Sequence, residues 1–145
     1  MDVICQATES KEKFARLPLG SRAVQIPDGN ASSYFLDTFG RTKRLTVCAD
    51  DVNTDPSLSQ SLHLLNGTTI ESKVVSGKVI SDMLKAGKTP EQVIESIYIR
   101  CLTRKPTADE KSKLLAMVQD PKQPLGPLQD IFWAVLNSRE FVFNH

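Results

Sequence analysis

The chain has 145 residues, 40% of them hydrophobic and 24% charged, and a formal net charge of +1. That length supports one domain with a real core, and the near-neutral charge argues against nucleic-acid binding by phosphate neutralisation. No apolar run approaches the ~20 residues that span a bilayer, and the short apolar stretch after Met1-Asp2 lacks the basic start of a signal peptide.

Taken in order, Val3, Ile4 and Ala7 have helical spacing and predict the end of an amphipathic helix whose beginning lies upstream. Alternation around Ala23, Val24 and Ile26 predicts extended chain, and Pro27-Asp28-Gly29-Asn30 predicts a turn. Tyr34, Phe35, Leu36 and Phe39 form an aromatic cluster ahead of Gly40. Asp55-Pro56 predicts the start of a helix with Leu58, Leu62 and Leu65 on one face, closed by Asn66-Gly67.

Helical punctuation then becomes regular. Residues 70–75 predict a short helix broken near Ser76-Gly77, and Val79, Ile80, Met83 and Leu84 predict the next, stopped by Gly87. Thr89-Pro90-Glu91-Gln92 and Thr107-Ala108-Asp109-Glu110 are capping boxes. The first opens a helix with Val93, Ile94, Ile97, Tyr98 and Cys101 inward, the second one with Leu114, Leu115 and Val118. Arg104-Lys105 places cations at the preceding helix's C-terminal end, where its dipole favours them. Leu128, Ile131, Phe132, Val135 and Leu136 form the last strong stripe, and Asn137-Ser138 restarts a turn carrying Phe141 and Phe143, both expected in the core. The expected fold is mainly α: one compact multi-helix domain over 1–145, with an irregular, partly extended, aromatic-rich segment over 1–56 and a helical part over 57–145.

The segment from Leu36 to Gly67 gathers Arg41, Lys43, Arg44, Cys48, Asp50-Asp51 and His63 into one run. It matches no catalytic signature, and the chain has no G-x-G-x-x-G, P-loop, C-x-x-C-H, H-E-x-x-H or nucleophile elbow. Arg22, Asp28, Asp37, Arg41, Arg44 and His63 are candidates for a polar cleft, since alternating carboxylates and guanidiniums bind sugars or anions through paired hydrogen bonds. The plainer reading is an ion-pair network bracing an irregular segment whose backbone groups need partners. A lone helix-borne His63 is a poor metal ligand, and Asp50, Asp51 and Asp55 lack the glycine and distal glutamate of a calcium loop, so no metal site is expected. Cys5 and Cys101 stand among apolar neighbours and are expected as small buried hydrophobes. The acidic pair beside Cys48 disfavours a thiolate, and a single disulfide among the three stays open. Val3, Ile4 and Trp133 are candidate interface residues.

Five runs in order, PLGSRAVQIPDGN, SYFLDTFGR, DPSLSQSLHLLNG, IYIRCLTRKPTADE and LNSREFVFNH, cover nearly the whole chain. Together they resemble the C-terminal planctomycete-specific domain of unknown function found in large secreted bacterial proteins. That domain is often fused to a planctomycete-type cytochrome c domain. The resemblance implies an extracytoplasmic C-terminal fragment, periplasmic or secreted, whose haem, if any, belongs to an upstream part. Two functions follow as expectations. One is a non-catalytic helical module packing on an upstream domain or a protein partner. The other is part of an extracytoplasmic enzyme acting on polysaccharide or coupled to cytochrome c redox chemistry, with the segment from Asp28 to His63 as one wall of its site.

Overall fold

The computed structural model describes residues 1–26, 33–39, 60, 68–120 and 123–143. Among them the chain is mainly helical, with α1 over Asp2–Thr8, α2 over Tyr34–Thr38, α3 over Thr68–Ser76 and α4 over Val79–Lys85. There follow α5 over Pro90–Leu102, α6 over Ala108–Met117, α7 over Leu125–Leu136 and α8 over Arg139–Phe143. The helix expected after Asp55-Pro56 lies outside the described residues, apart from Gln60.

The apolar spacing explains the packing. Leu128, Ile131, Phe132, Val135 and Leu136 fall at i, i+3, i+4, i+7 and i+8, so one face of α7 is apolar along its whole length. That face is buried, with Leu128 and Phe132 fully inaccessible, and α7 packs against α3, α4, α5 and α8. Opposite it, α5 buries Val93, Ile94, Ile97, Tyr98, Cys101 and Leu102. Helix α6 has no fully buried residue; Leu114, Leu115 and Val118 only lean on the core.

Local chemistry sets the boundaries. At the start of α5, Thr89 Oγ1 accepts from the Gln92 amide at 3.3 Å and the Gln92 side chain accepts from the Thr89 amide at 3.0 Å. Thr107 and Glu110 repeat the arrangement ahead of α6 at 3.2 and 2.7 Å. These are the capping boxes expected from sequence, each satisfying amides that the first turn leaves without partners. Either threonine replaced by alanine should cost about 1 kcal/mol, read from denaturant midpoints; an unchanged midpoint for both would contradict the capping role. Helix α4 ends where Gly87 takes φ +79°. The Gly87 amide donates to Leu84 O at 3.0 Å and the Lys88 amide to Met83 O at 3.1 Å, which together make a Schellman cap.

Two local expectations are corrected. Residues 23–25 form a 3-10 turn, not extended chain. The Asp2 carboxylate accepts from the amides of Ala23 at 2.6 Å and Val24 at 3.3 Å, while the Gln25 side chain accepts from the Arg22 amide at 2.8 Å. These acceptors gather consecutive amides, and Val24 stands 76% exposed with no sheet face to fill. Phe143 is likewise not core. Phe141 is buried, but Phe143, two residues on, is 77% exposed under the Arg139 guanidinium.

Candidate interaction face and the polar cavity beside it

Helix α1 separates two concavities. On one side, a cavity of about 340 Å³ is lined by Asp2, Cys5, Ser10, Glu12 and Arg22 among others. On the other, a groove of about 410 Å³ is lined by Val3, Gln6, Ala7, Arg100 and Phe141, contributed by α1, α5 and α8.

Lys73 pairs with Glu12 of the cavity wall. Its side chain is 8% exposed, and its Nζ donates to Glu12 Oε2 at 2.6 Å. Burial pushes the ammonium pKa down, but Glu12 and Cys5 outweigh it and raise it above the ordinary lysine value. The pairing with Glu12 thus favours the charged form of Lys73. Glu12 shows the mirror result: burial alone would raise its carboxyl, and Lys73 holds it below the usual range. Removing one partner strands the other. Lys73→Met should cost about 1–3 kcal/mol, and adding Glu12→Gln should recover part of that loss. A double variant less stable than the single by the full Glu12→Gln cost would show the pair to be uncoupled.

The other charges of this region are similarly engaged. Arg22 Nε stands 3.8 Å from Asp2 Oδ2. Arg100 Nη1 reaches Glu9 Oε1 at 2.7 Å and the Ala7 carbonyl at 3.2 Å, tying α5 to the end of α1. Beyond the groove, Arg104 donates through Nε and Nη2 to Glu140 at 2.7 and 2.8 Å, and through Nη1 and Nη2 to Glu110 at 2.9 Å each. Arg104 holds Glu110 down to about 2, with the Thr107 amide assisting. Cys101 is buried, which pushes its thiol up to about 12 and keeps it an inert core residue.

The sequence-derived candidates fall as follows. Arg22 lies on the cavity wall, and Asp37 sits in the first turn of α2. Asp28, Arg41, Arg44 and His63, together with Cys48, lie outside the described residues. Val3 is 39% exposed on the groove, whereas Ile4, proposed beside it as interface, is 7% exposed and belongs to the core, because it shares a face with Ala7. Trp133 is partly buried against the core. Cys5 also departs from expectation: it is a half-buried free thiol on a polar wall. Lys73 was not singled out from sequence, although Ile70, Lys73, Val74 and Gly77 share one helical face and a lysine there signals a buried partner.

Among the described residues no group of three metal-capable side chains occurs, and no helix is long and apolar enough to cross a membrane. No curated protein and no solved structure matches the chain significantly. A family model does match, over residues 5–118, and its description is PSD1, protein of unknown function (DUF1553). That span takes in the second half of α1 and all of α2 through α6, including every residue of the Lys73–Glu12 pair and the Arg100 tie, and on it the chain belongs to the PSD1 (DUF1553) family.

Proposed function

We propose that the chain is a non-catalytic helical module of an exported multidomain bacterial protein, packing on an upstream domain of the same polypeptide. The observation that carries this reading is the groove between α1, α5 and α8. It is open, with Val3, Ala7 and Phe141 in its wall, and Val3 stands 39% exposed on it. A concave surface with an apolar wall and an exposed apolar rim residue is of the kind that another domain covers. The polar side of α1 supports the same reading, since its charged groups are spent on one another and on backbone amides.

Val3→Glu tests it. Val3 sits on the groove rim outside the core, so the isolated module should keep its melting temperature. In the full-length polypeptide the charge should loosen packing and speed proteolytic release of the module. Release at the unaltered rate would contradict the docking face.

A further inference from the structure

Helix α8 is five residues long and packs on α5 and α7. Among the described residues, contacts of two different kinds hold it. Phe141 is its one buried side chain, and Glu140 receives two hydrogen bonds from Arg104. The same guanidinium holds Glu110 at the start of α6 and lies 5.3 Å from the centroid of the Tyr98 ring. One cation thus joins two carboxylates from elements far apart in sequence.

Among the described residues, few titratable groups face Glu140. Tyr98 comes from α5, Arg104 from the turn after it, and Glu110 from α6. Helix α7 has a single ionisable residue, Asp130, which is exposed and nearly two turns before the α7–α8 junction. On α8 itself, Arg139 is turned over Phe143.

We propose that α8 is an acid-released latch: protonation of Glu140 and Glu110 frees Arg104, and α8 lifts from α5 and α7, removing the Phe141 wall of the groove. The direction follows from the clasp. Arg104 holds both carboxyls below their ordinary range. The clasp is therefore complete above the ordinary glutamate value and is lost as pH falls toward the folded values. Acid acts on α8 first because α8 buries one side chain whereas α7 buries five. Arg104 also separates two carboxylates, so its removal leaves like charges facing each other at neutral pH.

The test is amide hydrogen exchange by NMR on the isolated chain, corrected for intrinsic rates. The probe is the Val142 amide, which donates to Ser138 O at 3.0 Å; the Phe132 amide in α7 is the internal reference. Protection of Val142 relative to Phe132 should fall severalfold between about pH 6 and pH 3, as the carboxyls that hold Arg104 are protonated. In Arg104→Gln the relative protection should already be low at pH 6 and should rise on acidification, because neutralising both carboxyls removes their repulsion. If Arg104→Gln does not fold, Glu140→Gln gives the same reading, with α8 released at pH 6 and no further loss in acid. Parallel loss of protection at Val142 and Phe132, or wild-type protection of α8 in either variant at pH 6, would overturn the latch.

Discussion

Gly77→Ala is expected to destabilise the chain by about 3 kcal/mol, the upper end for a group forced into packed structure. A Cβ on Gly77 would lie 1.7 Å from the Thr8 carbonyl oxygen and 2.8 Å from its carbon. The obstacle is backbone, and that backbone is pinned: Thr8 is fully buried, and its hydroxyl donates to Ile4 O at 2.7 Å. The residue therefore sets how closely α1 approaches the end of α3. Backbone entropy alone argues the other way, since Gly77 is not in the left-handed region and alanine would ordinarily gain about 0.4–1 kcal/mol by restricting the unfolded chain. The steric term is several times larger and decides the sign. Gly126→Ala is the control, because nothing lies within 4 Å of an added Cβ there; it should be neutral or slightly stabilising. Equal melting temperatures for the two variants would show that α1 does not bear on Gly77 as described.

A chain ended at Val118, where the family match stops, should not fold cooperatively. It lacks α7 and α8, and with them the fully or almost fully buried Leu128, Ile131, Phe132 and Leu136. At about 2 kcal/mol for each buried side chain, these four alone supply about 8 kcal/mol, comparable to the whole net stability of a typical domain. Their loss also uncovers the faces of α3, α4 and α5 that α7 protects. The expected result is residual helical circular dichroism without a sharp thermal transition. A cooperative melt of residues 1–118 would show that the folding unit closes without α7.

Much of the second half was legible because its signals are local. Thr89-Pro90 and Thr107 state where α5 and α6 begin, Gly87 states where α4 ends, and the 128–136 stripe gives the central helix and its buried face. Each depends on neighbours within one or two turns. Features built from distant residues were not legible. Arg104 was assigned to a helix dipole, and nothing near it in sequence points to Glu140, 36 residues on. Glu12 gives no sign of Lys73, 61 residues away. The turn at 23–25 was misread because its organising acceptor is Asp2. Ile4 and Val3 could not be separated on apolarity, since only the packing of α1 on α3 decides which faces inward. For the candidate cleft, Arg22 and Asp37 alone lie among the described residues.

The docking face is tested most directly by hydrogen exchange compared between the isolated chain and the full-length polypeptide. The account predicts added protection confined to peptides from α1 and α8, around Val3 and Phe141, with α4 and the exposed face of α6 unchanged. Identical exchange of α1 and α8 in the two forms, or protection concentrated on α6, would contradict it.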